Sequence, residues 1–144
     1  MALTIELLRS LDDDELVSAV FSEWDDTPKA PKGCWLVYLM CIIIEGDIYN
    51  GGFAQFLGNI ESELLEEAIE AYDRFGLNDM ASLMREAKRL YDRENGTLKR
   101  LPKQSSASHP EIDELDNRYS EIEDTTRDAR VKFIRSNLSL FVTA

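Results

Sequence analysis

The stretch that decides the fold is Ile48-Tyr49-Asn50-Gly51-Gly52-Phe53-Ala54-Gln55-Phe56-Leu57-Gly58-Asn59. It contains the densest turn signal in the chain, Asn50-Gly51-Gly52, because glycine accepts positive φ without steric cost and an Asn side chain can hydrogen-bond its own backbone. We therefore expect a sharp corner at these residues. The apolar residues after the corner stand at helical spacing and predict a short amphipathic helix ending near Asn59. They are Phe53, Phe56 and Leu57.

The apolar run before the corner predicts the central helix of the core. It extends over eleven residues, from Cys34 to Ile44, and is about half as long as a membrane span. Three consecutive isoleucines also suit a buried strand. However, the fifteen residues from Gly33 to Asp47 are long for a strand and ordinary for a helix. We expect a helix from about 33 to 47.

Apolar residues recur at intervals of three and four along most of the remaining chain. This pattern predicts a helical turn at 3–9, helices at about 13–24, 60–75 and 79–94, and helical structure between 113 and 141. Residues 60–94 should form an αα-hairpin that turns at Gly76, with one acidic and one basic outer face. A polar loop is expected from Thr97 to Pro110. The fold class is therefore all-α, a single-domain bundle of about six to eight helices over residues 1–144.

The charge is uneven along the chain. The formal net charge is -12. Residues 1–79 contain 17 acids and 4 bases, whereas residues 80–144 contain 11 acids and 12 bases. An excess of negative charge repels phosphate backbones and anionic lipid, and it attracts basic proteins. We expect a basic or nucleic-acid-binding protein as partner, with no direct binding of nucleic acid and no membrane association.

The two cysteines, Cys34 and Cys41, fit a reducing compartment. They stand seven residues apart in one predicted helix, which separates them by about 10.5 Å along the axis. That distance is too long for a disulfide. Two thiols in an apolar run are typical of buried core residues. Because Met1 leads directly into an acidic helix without a basic and then apolar segment, we expect a cytoplasmic protein.

No residue pattern predicts an enzyme. The single histidine, His109, lies in a Ser-rich segment beside Pro110 without a partner nucleophile in the sequence pattern. Motifs for zinc, phosphate loops and dinucleotides are absent from the sequence. Anion binding by the glycine corner would be opposed by Glu45 and Asp47. We expect no catalytic residues, no metal and no cofactor.

The carboxylates of two segments are the candidate partner-binding residues. Carboxylates at i, i+3 and i+4 on a helix stand about 5–6 Å apart, which is comparable to the step between successive phosphates of a nucleic acid strand. The alternative is that these residues only form solvated helix faces and helix starts. The candidates are Asp12, Asp13, Asp14, Glu15, Glu23, Asp25, Asp26, Glu61, Glu63, Glu66, Glu67, Glu70 and Asp73.

A resemblance to a known family adds to this interpretation. The signature Asn50-Gly51-Gly52-Phe53-x-Gln55-Phe56-x-x-Asn59 resembles that of a bacterial domain-of-unknown-function family, whose best characterised member is a dimeric DNA mimic. Further similar stretches are 68–77, 115–119 and 133–137, so that the resemblance covers about 33–141. This chain departs from the more aromatic form of the signature at Leu57-Gly58.

The resemblance implies an all-α fold and no known enzymatic activity. In the characterised member an acidic surface occupies the DNA-binding site of a transcription factor. The signature implies the fold and is expected to be mainly structural. DNA mimicry and a homodimer are therefore implied only by likeness to that member.

The hypothesis from the sequence is a non-enzymatic acidic interaction protein, extended by the resemblance to a DNA mimic. Two alternatives stay open. One is a small-ligand-binding protein or enzyme with a pocket near Trp35, Tyr49, Asn50 and Gln55. The other is an immunity protein that neutralises a basic toxin.

Overall fold

The computed structural model describes residues 2–26, 29–94 and 109–143, without the side chain of Asp26. All regular structure in these ranges is helical, which confirms the predicted all-α fold. Most of the predicted loop from Thr97 to Pro110 lies outside the described residues. The α-helices are α1 (Ile5–Ser10), α2 (Asp13–Asp26), α3 (Lys32–Tyr38), α4 (Gly46–Asn59), α5 (Ser62–Arg74), α6 (Asn78–Glu94) and α7 (Pro110–Ser136).

The central helix differs from its prediction in two ways. A π-helical segment, Leu39–Glu45, joins α3 to α4 and ends where the Gly46 N–H donates to the Cys41 carbonyl. The helix therefore runs from Lys32 to Asn59 instead of stopping near residue 47. The predicted corner is a kink inside this run, at Gly51 and Gly52. Apolar periodicity does not distinguish an α-turn from a π-turn, because the π-turn adds only one residue.

The predicted αα-hairpin is confirmed by α5 and α6, which pack against each other. Its turn is a Schellman motif at Gly76, which has φ 71°. The Gly76 N–H donates to the Asp73 carbonyl at 3.0 Å, and the Leu77 N–H donates to the Tyr72 carbonyl at 2.9 Å. These two bonds satisfy carbonyls at the end of α5 and reverse the chain direction.

The C-terminal region forms one 27-residue helix, α7, with Pro110 in its first turn. A 3-10 turn, Leu138–Leu140, follows it. The two ends of the chain then meet, because the Thr143 N–H donates to the Leu3 carbonyl at 2.9 Å and the Leu3 N–H donates to Thr143 Oγ1 at 2.7 Å. These bonds hold α1 against the C-terminal turn.

The helices enclose one core. α2 packs on α3, whereas α4 and α6 both pack on α7. The largest fully buried side chains include Phe53, Phe56, Tyr72 and Phe141. The run Lys32–Asn59 is also long and apolar enough, by length and composition alone, to span a membrane. Part of this run, including Cys34, Val37, Leu39, Met40, Ile44, Phe53, Phe56 and Leu57, is fully buried in the core.

Candidate functional site

The signature forms a kink that requires glycine. Gly52 has φ 69° and ψ -171°, a backbone region that is essentially restricted to glycine. A Cβ on Gly52 would lie 3.0 Å from Asp116 Oδ1. The same carboxylate oxygen accepts the Phe53 N–H at 2.8 Å. Asp116 on α7 thus caps the helical segment that restarts after the kink.

The amide side chains of the signature fasten the two sides of the kink. Gln55 Nε2 donates to Asp47 Oδ1 at 2.5 Å, and Asn59 Nδ2 donates to Asp47 Oδ2 at 3.3 Å. Phe53 and Phe56 pack edge to face with ring centroids 5.8 Å apart. These contacts are those of a structural corner, because the polar groups bind within the chain.

The surface beside the corner is open. Tyr49 is 83% exposed, and Asn50 is exposed next to it. Two other residues of the pocket considered at this corner are engaged elsewhere, Gln55 with Asp47 and Trp35 with Glu67. A cavity of about 800 Å³ is lined by other residues, between α2, the π-segment and α7.

The most buried ion pair in the described part of the chain was not predicted from the sequence. Arg130 Nη1 and Nη2 donate to the carboxylate oxygens of Glu45 at 2.7 and 2.9 Å, and the Tyr72 hydroxyl donates to Glu45 Oε2 at 2.6 Å. The side chains of Arg130 and Glu45 are 5% and 13% exposed. Glu45 directly follows an apolar run, but Arg130 stands among Arg127, Asp128 and Lys132, so the pairing has no local signal in the sequence.

The electrostatics of this network favour a charged pair. Burial alone would lower the pKa of Arg130, but the adjacent Glu45 carboxylate holds it above its ordinary value. Burial, together with the charge of Glu45, raises the pKa of Tyr72 well above its ordinary value. Tyr72 therefore stays a hydroxyl donor at neutral pH.

Neither cysteine has the properties of a nucleophile. Burial raises the pKa of Cys34 to about 11 and that of Cys41 to about 12. A reactive cysteine needs a lowered pKa to form the thiolate. Both residues remain thiols at neutral pH.

The carboxylates before and at the start of α2 are mostly engaged within the chain. The Glu15 N–H donates to Asp12 Oδ1 at 2.8 Å, and Glu15 Oε1 accepts the Asp12 N–H at 3.0 Å. This is a reciprocal capping box. Asp13 Oδ1 accepts from Arg135 Nη2 at 2.8 Å. Asp14 alone in this group has no hydrogen bond or ion pair with the described residues.

The carboxylates of α5 form two stripes with different surroundings. The stripe toward α6 is neutralised, because Glu66 lies 3.6 Å from Lys88 Nζ and Asp73 pairs with Arg85. The other stripe contains Glu63, Glu67 and Glu70, which are spaced so that they share one side of the helix. In that stripe Glu67 Oε1 accepts the indole N–H of Trp35 at 2.6 Å.

Trp35 brings the second stripe close to the end of α2. Its ring lies 5.1 Å from that of Trp24. Glu23 and Asp25 flank Trp24 in sequence, so two segments that carry carboxylates are linked through the contacts of Trp35 with Trp24 and Glu67. We call this group the acidic face. It consists of Glu23, Asp25, Glu63, Glu67 and Glu70.

Four members of the acidic face, all except Glu67, have no hydrogen bond or ion pair within the described ranges. Two cations are near, since Lys32 and Arg74 line a shallow cleft with Glu67 and Glu70. The remaining candidates do not belong to the face. Asp12–Glu15 lie at the far end of α2, Glu61 is engaged in another interaction, and the side chain of Asp26 is not described.

Comparison with known proteins identifies the family. In the described ranges, no group of three or more His, Cys, Asp or Glu side chains is arranged to hold a metal ion. Searches of curated proteins and of solved structures found no match. The family model described as DMP19-like protein matches residues 29–137, close to the range over which the sequence resembles a domain-of-unknown-function family. The chain therefore belongs to the DMP19-like protein family.

Proposed function

We propose that this protein is a non-enzymatic interaction protein, and that its acidic face binds a basic protein at the surface which otherwise holds nucleic acid. The observation that carries the proposal is the convergence at Trp35. The indole contacts Trp24 of α2 at a ring distance of 5.1 Å and Glu67 of α5 at 2.6 Å. Folding thus joins two acidic segments that are about 40 residues apart in the chain.

The pattern of pairing supports an external partner for this face. Where α5 packs on α6, Lys88 and Arg85 form ion pairs with Glu66 and Asp73 of α5, respectively. On the other side of α5, where Glu67 and Glu70 lie beside α3, Glu63 and Glu70 have no ion pair with any described residue. Clustered like charges repel one another, and the neighbouring Lys32 and Arg74 offset only part of the charge of five carboxylates, so a cation from a partner would stabilise the face.

The spacing of the carboxylates along α5 supports mimicry of a phosphate backbone. Glu63, Glu67 and Glu70 lie on one helix, where carboxylates three and four positions apart stand about 5–6 Å from each other. Trp35 supplies an aromatic surface among them, and Trp is enriched among the residues that dominate binding energy at interfaces. Mimicry of a phosphate backbone is therefore part of the proposal.

A matched pair of variants tests the proposal. The test variant neutralises the four unpaired carboxylates of the acidic face: Glu23→Gln, Asp25→Asn, Glu63→Gln and Glu70→Gln. The control variant removes the same number of charges at exposed positions elsewhere: Glu6→Gln, Asp79→Asn, Glu114→Gln and Glu121→Gln. Each tagged protein is used to capture proteins from a lysate of the host, and duplex DNA is then used for elution.

The expected result is that wild type and control capture basic proteins that duplex DNA displaces, and that the test variant loses them. Binding should also weaken as salt rises, because exposed charges are screened within about 10 Å at 0.1 M salt. Equal capture by the test and control variants, or capture that neither DNA nor salt affects, would show that the acidic face is not the binding surface.

A further inference from the structure

A cleft of about 260 Å³ lies between the start of α6 and the middle of α7. One wall is formed by residues 76–79, which make the turn from α5 into α6. The other wall is formed by Thr125, Thr126 and Ala129 of α7. No member of the acidic face lines this cleft, so it is a separate surface of the molecule.

The backbone N–H groups at the start of α6 have no acceptor. Leu77 precedes the helix, and its carbonyl accepts the first helical hydrogen bond, from the Ala81 N–H at 2.9 Å. A leucine side chain has no oxygen with which to cap a helix. The N–H groups of residues 78–80 therefore have no partner among the described residues. Asn78 and Asp79 line the cleft, so donors without acceptors border it.

The Thr126 hydroxyl on the facing wall also has no partner. Thr126 is only 5% exposed, and its side chain makes no hydrogen bond with any described residue. The hydroxyl oxygen retains accessible surface, since the fully enclosed side-chain atoms without a partner in the described ranges are His109 Nδ1 and Arg130 Nε. Because Thr126 lines the cleft, that surface faces the cleft.

This hydroxyl differs from the one beside it. The Thr125 hydroxyl donates to the Ile122 carbonyl at 3.0 Å, as threonine in a helix often does. The Thr126 hydroxyl has no such bond, and a buried hydroxyl without a partner is unfavourable. An occupant of the cleft that bonds both this hydroxyl and the N–H groups of α6 would satisfy both walls.

The lining determines the chemistry of that occupant. The N–H groups require an oxygen acceptor. An oxyanion is the usual ligand of a helix N-terminus, but here it would meet the carboxylate of Asp79, and no described Lys or Arg lines the cleft. A primary amide is uncharged and offers one carbonyl acceptor and two N–H donors. It therefore matches the N–H groups of α6 and the hydroxyl oxygen of Thr126 together.

The size of the cleft favours one side chain of a larger molecule. Pockets that enclose a whole small-molecule ligand usually measure about 300–1,000 Å³, and this cleft is smaller. A single side chain with a terminal amide needs less room than such a ligand. Asparagine is among the residues that cap helix N-termini best, which favours it over a longer amide side chain.

We infer that this cleft binds the side-chain amide of an asparagine from a polypeptide partner, which caps α6 in trans. The amide oxygen accepts from the N–H groups of Asp79 and Met80, the second and third residues of α6, as a capping side chain does within one chain. The amide nitrogen donates to the Thr126 hydroxyl oxygen. The inference does not rest on the proposed function, because the cleft shares no residue with the acidic face.

Chemical-shift titration of the isotopically labelled full-length protein tests the inference. The probe is the acetylated and amidated peptide alanine–asparagine–alanine, and two matched peptides contain aspartate or leucine in place of asparagine. We expect the asparagine peptide to shift the backbone amide resonances of Asp79, Met80 and Thr126. It should bind about tenfold more tightly than the leucine peptide, as expected for the loss of two hydrogen bonds, and more tightly than the aspartate peptide.

A pair of hydroxyl deletions provides the matched variants. Thr126→Val removes the hydroxyl and keeps a branched side chain of similar size, so it should weaken the asparagine peptide about fivefold. The control is Ser82→Ala, which removes an exposed hydroxyl one turn after Asp79 and should leave the affinity unchanged.

Four results would overturn the inference. The first is equal binding of the asparagine and leucine peptides, and the second is an affinity that Thr126→Val leaves unchanged. The third is tighter binding of the aspartate peptide, which would make the cleft an oxyanion site instead. The fourth is a set of shifted resonances that excludes the start of α6, which would place the peptide elsewhere on the surface.

Discussion

The carboxylates of this protein fall into two regions with opposite arrangements. Around the kink and the π-segment, Glu45, Asp47 and Asp116 each accept hydrogen bonds from groups of the same chain. On the acidic face, Glu63 and Glu70 have no partner among the described residues. Carboxylates of the first region connect helices, whereas those of the second are available to another molecule.

This difference separates stability from binding. A substitution around the kink leaves a buried group unsatisfied or forces a glycine-only backbone, so it should reduce the free energy of unfolding. A substitution on the acidic face removes a charge that water solvates, so it should change binding with little effect on stability. The predictions below test this separation in order of decreasing effect on stability.

The largest effect is expected for Gly52→Val. A residue other than glycine at this φ and ψ costs up to about 3 kcal/mol of backbone strain. The contact of the new side chain with Asp116 adds an overpacking cost of about 1–3 kcal/mol. We expect a loss of about 4–6 kcal/mol, measured by urea unfolding, with most binding lost as the protein unfolds.

Gly76→Ala is the matched control for that substitution. Gly76 also has positive φ, at 71°, but a Cβ there would have no atom within 4 Å. The cost should be about 1–2 kcal/mol, from the left-handed backbone alone. A stable Gly52→Val variant that lost only partner binding would place function at the kink and break the comparison.

The buried ion pair should give the next largest effect. Arg130→Met leaves Glu45 buried without its cation, and breaking a buried pair in this way costs about 3–5 kcal/mol. The double variant Glu45→Gln/Arg130→Met should recover a large part of that loss, because Gln removes the stranded charge and still accepts from Tyr72. Thermal unfolding of both variants measures the effect. A double variant no more stable than Arg130→Met would show that the charge itself is not what costs stability.

Asp116 should have an intermediate effect that depends on the substituted group. Asp116→Leu removes the acceptor of the Phe53 N–H and should cost about 1–3 kcal/mol. Asp116→Asn keeps an oxygen acceptor and should fold normally. Urea unfolding at neutral pH compares the two variants.

The pH dependence of stability offers a second test of Asp116. Burial raises its pKa above the ordinary value of 3.8, against the opposing hydrogen bond from Phe53. The folded state therefore favours the protonated acid, and this contribution to stability is present below the ordinary pKa and is lost as pH rises through the raised value. The free energy of unfolding of Asp116→Asn should not show this loss as pH rises. Urea unfolding across the acidic pH range measures it. An identical pH profile in wild type and Asp116→Asn would contradict the assignment.

The smallest effect on stability is expected on the acidic face. The free energy of unfolding of the variant with Glu23→Gln, Asp25→Asn, Glu63→Gln and Glu70→Gln should lie within about 0.5 kcal/mol of wild type. Asp25, Glu63 and Glu70 are exposed, and Glu23 is half-buried and makes no hydrogen bond or ion pair with the described residues. A loss of several kcal/mol would mean that these carboxylates are structural, and the two regions would then not differ.

Local patterns were sufficient for much of the fold. The hairpin of α5 and α6 was predicted from the spacing of apolar residues, and its turn from Gly76, because periodicity and a left-handed cap act over a few residues. The position of the kink followed from two adjacent glycines.

Long-range contacts decided what the local patterns missed. The π-segment ends at Glu45, whose partner Arg130 lies 85 residues away in the chain, and Asp116 reaches Phe53 across 63 residues. Neither pair has a local signal, because a charged residue in a helix does not specify which distant residue it will contact. The carboxylates of the candidate site were identified from the sequence. Which of them form ion pairs and which do not was not predictable from it.

The sequence by itself determined the helical fold class, the hairpin and the excess of negative charge, since these depend on composition and on spacing within one helix. Only the tertiary structure decided which carboxylates connect helices and which remain unpaired. The physical reason is that a carboxylate is neutralised by whatever cation or donor packing brings within a few ångströms. At the Asn50–Asn59 signature packing supplies those donors, whereas around Trp35 it brings two acidic segments together.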